Sequence, residues 1–165
     1  MSFKQGIVAF AFGTPSTIDS NLRIAQIADT WSGLYNGARI YTQEDVPVRR
    51  KRSVHTIRQA ACTDPPPTLR IARGVVRWAL WHRINELWIV CATPHLWRCK
   101  RDLAFAIGEL GADIDVHVCP EVEREPDGWF CPESTQPRTQ SEQAWKRRER
   151  ILYWMPMFLY TRLAA

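Results

Sequence analysis

The hydrophobic pattern of the first two thirds of the chain alternates between short apolar runs and segments with helical spacing. Continuous apolar runs at 7–12 and 87–92 are short and rich in β-favouring residues, which is typical of strands buried on both faces. Apolar residues recur every three or four positions at 19–33, and again from Leu69 to Arg83, a helix that Thr68 is expected to cap. This succession of strands and helices predicts an α/β domain with a mostly parallel sheet.

Three further segments extend the same pattern. The runs at 38–43 and 114–119 have the length and composition of additional strands. A helix is predicted from Pro94 to Leu110, directly after the apolar run at 87–92. We therefore predict a three-layer Rossmann-like α/β domain over residues 1–120, with about four or five mostly parallel strands.

Two segments depart from this regular pattern. Residues 46–67 form a connection of unusual length for a compact domain, with a short helix predicted around Val54 to Ala61, and such loops tend to be functional. Residues 121–165 start as an extended segment and continue as a helix from Ser141 to Trp154, with Ser141 as its cap. We expect this C-terminal helical tail to pack on the same domain. Its candidate packing residues are Ala144, Trp145, Ile151, Leu152 and Trp154.

Composition and charge narrow the class of protein. The 165 residues are 45% hydrophobic, which suits one domain with a full core. The net charge is +5, and basic residues cluster at 49–52 and 146–150. Five cysteines occur without a Cys-x-x-Cys pair, so neither a disulfide framework nor a zinc ribbon is expected. With no signal peptide and no apolar run near the roughly 20 residues of a membrane span, we expect a cytoplasmic protein.

The candidate chemistry concentrates just after the apolar run at 87–92. His95 and Arg98 fall in the first turn of the helix that Thr93 is expected to cap, above the carboxyl end of a central strand. Open α/β sheets bind ligands at such ends, where free backbone N–H groups favour anions and arginine adds a bidentate fork. The structural alternative is that Arg98 pairs with Asp102 and that His95 only caps the strand end.

Further residues are predicted to line the same pocket. Gly13, after the first strand, lets backbone approach a ligand closely. Glu44 can hydrogen-bond a ribose hydroxyl, although a solvated loop acid is the alternative. Trp97 can stack on a base or sugar, or instead pack against Phe105 or the C-terminal segment. The predicted ligand-binding residues are Gly13, Thr14, Arg23, Glu44, Thr68, Trp97 and Arg98.

Several established site types are absent from the sequence. There is no Gly-x-Gly-x-x-Gly motif and no Walker loop, which disfavours a nicotinamide cofactor or ATP, and no cofactor is identified. No Gly-x-Ser-x-Gly elbow indicates a serine hydrolase. His95 and Cys99 are four residues apart on one predicted helix, but a third ligand, Cys91, is expected to point into the core. We therefore predict no metal site.

Three local patterns resemble the SanA/YdcF/ElyC-like family, bacterial α/β proteins linked to the cell envelope. The sequence VCATPHLWRC at 90–99 is similar to the family's strand followed by a His-x-x-Arg turn. The sequence NLR at 21–23 is similar to the start of its first helix, and Thr68 to the threonine that begins its third element. The resemblance covers residues 6–120, and it implies a Rossmann-like fold with a site at the His-x-x-Arg turn.

The sequence also departs from the family's pattern. Gly13 stands alone after the first strand, and the second strand ends in TQED at 42–45 instead of glycines. Ile71 occupies the position where the family usually has asparagine. The N-terminal membrane segment of envelope-type members is not recognised either, so we expect a divergent member. These departures affect the expected ligand more than the expected fold.

Two hypotheses about function follow. In the first, a strand-end pocket binds a small anionic molecule, phosphate-bearing or nucleotide-like. If that pocket is catalytic, His95 serves as acid or base and Arg98 as anion clamp, in transfer or hydrolysis at a phosphoryl or glycosyl bond. The sequence does not decide whether the protein is an enzyme. In the second hypothesis, a non-catalytic binding or regulatory module uses the basic loop 49–52 and the basic helix 146–150 to engage RNA, acidic protein or lipid.

Overall fold

A single parallel sheet forms the centre of the protein. The computed structural model describes residues 4–49, 54–57, 67–125 and 127–163. Within these residues the sheet has five strands in the order β3-β2-β1-β4-β5, and every neighbouring pair is parallel. The prediction of a mostly parallel α/β sheet is confirmed. The strands are β1 (Gln5–Ala9), β2 (Arg39–Gln43), β3 (Val54–Ile57), β4 (Glu86–Val90) and β5 (Asp115–Val118).

Six α-helices accompany the sheet in the described part of the chain. They are α1 (Asp19–Leu34), α2 (Thr68–His82), α3 (Thr93–Leu110), α4 (Pro120–Arg124), α5 (Glu142–Trp154) and α6 (Met157–Leu163). Because parallel crossovers are right-handed, α1 lies on one face of the sheet, while α2 and α3 pack together on the other. The result is the expected three-layer, Rossmann-like arrangement. Among the described helices, none has the length and hydropathy required to cross a bilayer.

The strand order creates a switch point between β1 and β4. The chain leaves β1 toward β2, whereas β4 continues to β5 in the opposite direction. At the carboxyl end of this pair, Ala9 is in register with Val90, and Phe10 donates its backbone N–H to the Val90 carbonyl at 2.9 Å. Loops diverge at such a point and leave a crevice, which is where open α/β sheets bind ligands.

The apolar runs of the sequence extend beyond the strands they predicted. The run at 7–12 continues past β1, and its last residues, Phe10 and Phe12, are buried outside the sheet. Phe12 packs against Trp145 of α5, with 4.7 Å between ring centroids. An apolar run therefore reports burial, and only part of it takes part in strand pairing.

The prediction of a short helix around Val54 to Ala61 is wrong for its first four residues. Residues 54–57 form β3, which pairs with β2, and residues 58–61 lie outside the described part of the chain. Three of the four residues in β3, Val54, Thr56 and Ile57, are β-branched, a residue type that favours an extended backbone. Pairing with β2 satisfies the backbone groups that a helical turn would have used.

The expected helix caps are corrected in two of three cases. The N-caps of α2 and α3 are Pro67 and Ala92, not Thr68 and Thr93. The Thr93 hydroxyl instead donates to the Val122 carbonyl, which ties α3 to α4. At α5 the prediction is confirmed, because the Ser141 hydroxyl oxygen accepts the backbone N–H of Ala144. The two misplaced threonines each find a partner farther along the chain, which local spacing cannot show.

The C-terminal tail packs on the domain through one face of α5. Trp145 is buried and Leu152 is half-buried on that face, as expected. Ala144, Ile151 and Trp154 are exposed, so the prediction that they pack is wrong. They lie away from the side of the helix that Trp145 and Leu152 share at i and i+7.

Candidate functional site

His95 and Arg98 lie at the start of α3, beside the carboxyl end of β4, and both are buried. Arg98 Nη2 lies 3.0 Å from His95 Nε2, and Thr68 Oγ1 lies 3.1 Å from the same nitrogen. A guanidinium can only donate, so Nε2 accepts and the neutral imidazole carries its proton on Nδ1. Burial, together with the charges of Arg98, Arg148 and Arg138, lowers the pKa of His95 well below its usual value. Both observations describe an uncharged ring.

An ion pair joins Arg98 to the C-terminal tail. Arg98 Nη1 lies 2.8 Å from Glu149 Oε1 of α5, and the two side chains are only 6% and 15% exposed. Two donors in this cluster, His95 Nδ1–H and Arg98 Nε–H, have no acceptor among the described residues. A buried donor without an acceptor costs about 1–3 kcal/mol. Glu149 Oε1 is likewise buried without a hydrogen bond from the described residues, so the cluster has donor capacity that Glu149 does not use.

Trp145 covers the cluster from α5. Its ring centroid lies 5.4 Å from that of His95, and the Arg98 guanidinium carbon lies 5.1 Å from the same ring. Its indole N–H donates to the Pro94 carbonyl at 3.0 Å, which fixes the ring against the first turn of α3. The indole therefore belongs to the site as well as to the packing of α5.

A groove of about 420 Å³ lies beside this cluster, between the start of α3 and α5. Trp145 and Glu149 line the groove and also contact the cluster. Arg150 adds positive charge at its wall, where Lys146 forms an ion pair with Glu142. Its flat walls come from Trp97, Phe130 and Tyr153. Small-molecule sites have volumes of roughly 300–1,000 Å³, so the groove has the size and the mixed aromatic and polar lining of such a site.

The structure brings three predicted residues together and places a fourth beside them. Thr68, His95 and Arg98 form the cluster, and Trp97 lines the adjoining groove. Trp97 also packs against Tyr153 of α5, with 4.9 Å between ring centroids. This is the contact with the C-terminal segment that we considered as the structural alternative for Trp97.

Two other predicted residues contact the tail. Gly13 has φ +99°, and a Cβ there would lie 2.7 Å from Ser134 Oγ. The Thr14 backbone N–H donates to the same Ser134 hydroxyl at 3.3 Å. The close approach that glycine permits is thus used by residues of the tail.

Arg23 and Glu44 occupy other places. Arg23 forms an ion pair with Glu125, and its guanidinium carbon lies 4.0 Å from the ring centroid of the fully buried Trp129. Arg23 therefore anchors the segment that follows α4. Glu44 is exposed in the turn after β2, a strand that β1 separates from β4. Of the basic loop 49–52, only Arg49 lies within the described residues.

The structural alternative for Arg98 expected the wrong partner for its ion pair. Asp102, the expected partner, accepts hydrogen bonds from the Tyr160 hydroxyl at 2.5 Å and from Arg101 Nε at 3.0 Å. The ion pair of Arg98 is made with Glu149 instead. Arg98 and Asp102 of α3 thus both contact residues of the C-terminal tail, Glu149 and Tyr160.

Sequence reasoning missed Glu149, a polar residue of the site, and the structural role of Asn21. Glu149 is the single acid among four bases in the run 146–150, and this contrast was the available signal. Asn21 is fully buried in α1. Its side-chain oxygen accepts the Phe12 N–H at 2.9 Å, and its side-chain nitrogen donates to the Gly13 carbonyl at 3.0 Å. Asn21 therefore fixes the loop that follows β1.

Among the described residues, no set of side chains is suited to bind zinc near His95 and Cys99. Cys91 and Cys99 are fully buried. Across residues 4–49, 54–57, 67–125 and 127–163, no group of three or more His, Cys, Asp or Glu side chains is placed to hold a metal ion.

Fold and site together define a three-layer α/β protein with a buried histidine–arginine pair at its switch point. Comparison of the sequence with protein-family models and with curated proteins finds no match. The resemblance to the SanA/YdcF/ElyC-like family therefore stays a prediction, carried by the residues around the His-x-x-Arg turn.

Replacing His95 with glutamine should reduce the acid sensitivity of the fold. Because the pKa of His95 is lowered in the folded protein, the unfolded chain takes up this proton first when the pH falls below about 6.5. The stability that neutral His95 contributes at higher pH is then lost toward its folded pKa. Well below pH 6.5, the unfolding free energy of the wild type should fall more steeply than that of His95→Gln, by up to about 1.4 kcal/mol per pH unit.

Urea denaturation of both proteins at several pH values between about 5 and about 7.5 measures this difference. Asp102 and Glu149 have pKa values raised by burial, so they act with the opposite sign, and both proteins contain them. Equal slopes for the two proteins would show that His95 is not the proton-binding group.

Proposed function

We propose that the protein binds a small anionic molecule, phosphate-bearing or nucleotide-like, in the groove between α3 and α5, with the anionic group on Arg98. The ion pair between Arg98 and Glu149 carries this proposal, because a carboxylate already sits on the guanidinium at the wall of the groove. The two buried donors without an acceptor, on His95 and Arg98, add to it. Glu149 Oε1 is itself buried without a hydrogen bond in the described part of the chain, whereas the several oxygens of a phosphate can accept from the arginine fork and from a further donor at once.

The surroundings fit the rest of such a ligand. The cluster lies at the switch point of the sheet, and its His95 lies in the first turn of α3, where the helix dipole favours negative charge. Trp97 and Tyr153 provide flat walls for a base or a sugar, and Arg150 can meet a second charged group. These features favour a nucleotide-like molecule over a bare inorganic ion.

Binding requires that Glu149 leave Arg98. The pKa of Glu149 is raised by burial despite the neighbouring arginines, so its carboxylate regains full hydration when it moves into solvent. The ligand's anion then takes its place on the guanidinium. In this proposal α5 is a cover whose residues occupy the site until a stronger anion replaces them.

The arrangement supports binding more directly than catalysis. His95 Nε2 accepts from Arg98, so the ring can take up a proton there only after the guanidinium has turned toward a ligand. Transfer or hydrolysis at a phosphoryl or glycosyl bond would begin from that rearranged state. We also propose a cytoplasmic location, because four cysteines of the described chain are buried free thiols, as expected in a reducing compartment.

Replacing Arg98 with glutamine should weaken ligand binding strongly. We expect ADP to bind the wild type in isothermal titration calorimetry, and the Arg98→Gln protein to bind it about 10 to 100 times more weakly, because a charge-assisted hydrogen bond is lost. Arg73→Gln is the matched control, since it makes the same change in an arginine that pairs with Glu109 on the surface. Inorganic phosphate and a sugar phosphate, titrated in parallel, separate recognition of the phosphate from recognition of the base.

A second variant keeps the test independent of folding. Glu149→Gln retains the size of the side chain but removes its charge, so the ligand meets a weaker competitor and should bind about tenfold more tightly. Wild-type protein that binds none of the three probes, or variants that bind them equally well, would refute the site.

A further inference from the structure

The outer faces of α5 and α6 expose large apolar side chains to solvent. Trp154 is 78% exposed, Phe158 64%, Ile151 63% and Leu159 43%. Monomeric proteins seldom expose large apolar patches, and those that do use them for partners or membranes. We call Arg147, Ile151, Trp154, Phe158, Leu159 and Arg162 the outer tail surface.

This surface is opposite to the face with which α5 packs. Trp145 and Glu149, at i and i+4, point toward His95 and Arg98. Arg147, Ile151 and Trp154, at i, i+4 and i+7, follow the other side of the same helix. The outer apolar residues therefore do not belong to the face with which the tail packs on the domain.

The same pattern continues on α6. Tyr160 points inward, where its hydroxyl donates to the buried Asp102. Phe158 and Arg162, at i and i+4, are both exposed. The alternation of a cation with apolar residues thus occurs on both helices of the tail.

The charge of this surface has one sign. Residues 143–163 contain five basic residues and one acid. That acid, Glu149, faces inward and pairs with Arg98. The outer tail surface therefore combines Arg147 and Arg162 with apolar side chains and carries no carboxylate of its own.

We propose that the outer tail surface docks on an anionic lipid bilayer. Trp154, Phe158 and Ile151 would enter the boundary between headgroups and acyl chains, with the helices lying along the membrane plane. Arg147 and Arg162 would lie near the lipid phosphates, whose charge complements theirs. Amphipathic helices with cations and exposed aromatic and aliphatic side chains bind membranes in this way.

Two other occupants fit the surface less well. A second copy of the chain, related by a two-fold axis, would bring Arg147 and Arg162 against the same residues with no carboxylate from this surface to pair them. Single-stranded RNA would stack on Trp154 and Phe158, but Ile151 and Leu159 offer it no stacking surface. A bilayer uses all six residues.

Co-sedimentation of the full chain with vesicles tests the proposal. We expect binding to vesicles of phosphatidylcholine with phosphatidylserine, and much weaker binding to phosphatidylcholine alone. The double variant Trp154→Ala, Phe158→Ala should bind the anionic vesicles at least about tenfold more weakly than the wild type. Trp81→Ala is the matched control, because Trp81 of α2 is 83% exposed and lies outside the tail, and its binding should equal that of the wild type.

A second double variant tests the charge. Arg147→Gln with Arg162→Gln should lower binding to anionic vesicles about tenfold while leaving the weak binding to neutral vesicles unchanged. All substituted residues are exposed, so circular dichroism should show unaltered folding. Equal binding of wild type and both double variants overturns the proposal. So does a wild type that ignores anionic vesicles but forms a dimer by light scattering, or retains RNA, through Trp154 and Phe158.

Discussion

A Trp145→Ala protein is expected to unfold with a free energy about 3–5 kcal/mol below that of the wild type. The buried indole packs on Phe12 and His95, with 4.7 Å and 5.4 Å between ring centroids. Its N–H donates to the Pro94 carbonyl, and the substitution leaves that carbonyl without this donor. Urea denaturation at neutral pH, followed by far-ultraviolet circular dichroism, measures the loss.

The matched control for this prediction lies on the same helix. Trp154 is also a tryptophan of α5, but it is 78% exposed, so Trp154→Ala should change stability by no more than about 0.5 kcal/mol. A comparable loss for both variants would mean that α5 does not pack through the face that carries Trp145.

An Asp102→Ala protein is also expected to lose about 3–5 kcal/mol of stability. Asp102 is fully buried and accepts from the Tyr160 hydroxyl at 2.5 Å and from Arg101 Nε at 3.0 Å. Its removal leaves the Tyr160 hydroxyl without its acceptor and the Arg101 guanidinium with only the Leu152 carbonyl, near Arg98, which already carries positive charge. Because Tyr160 belongs to α6, we also expect the end of the tail to loosen, and faster amide hydrogen exchange in α6 reports it.

An exposed acid provides the comparison for Asp102. Glu109, near the end of the same helix, pairs with Arg73 at 2.7 Å but is 38% exposed. Glu109→Ala should therefore cost no more than about 1 kcal/mol, because solvent screens surface ion pairs. If the two variants were equally stable, the contact between Asp102 and Tyr160 would have no role in holding the tail.

Local sequence signals were sufficient for the central part of the fold. The apolar runs that contain β1 and β4 and the helical spacing of α1, α2 and α3 are properties of neighbouring residues, so they identify the elements without tertiary information. β3 was missed because four residues give too short a pattern to separate strand from helix. Pairing with β2 decided its conformation, and pairing partners are not visible in local spacing.

The position of the candidate site could be predicted from the sequence, but the face of α5 that packs over it could not. A strand followed by the first turn of a helix fixes where His95 and Arg98 lie, whatever the rest of the chain does. The position of Glu149 depends on which face of α5 packs. Trp145 and Leu152 mark one face, and Ile151 and Trp154 mark another at similar spacing, so the apolar pattern alone cannot choose. The aromatic contact of Trp145 with Phe12 and His95 makes the difference.

The ion pair between Arg98 and Glu149 also determines what a titration of the proposed site measures. The site holds its own competing anion on the same chain, so the competitor is always present at a fixed effective concentration, however dilute the protein. The apparent dissociation constant of a ligand then equals its intrinsic constant divided by the fraction of molecules in which Glu149 has left Arg98. If that fraction is about one in a hundred, an intrinsically micromolar ligand is measured as about 0.1 mM. The fraction of molecules in which Glu149 has left Arg98 before ligand is added therefore sets the lowest ligand concentration at which binding can be detected.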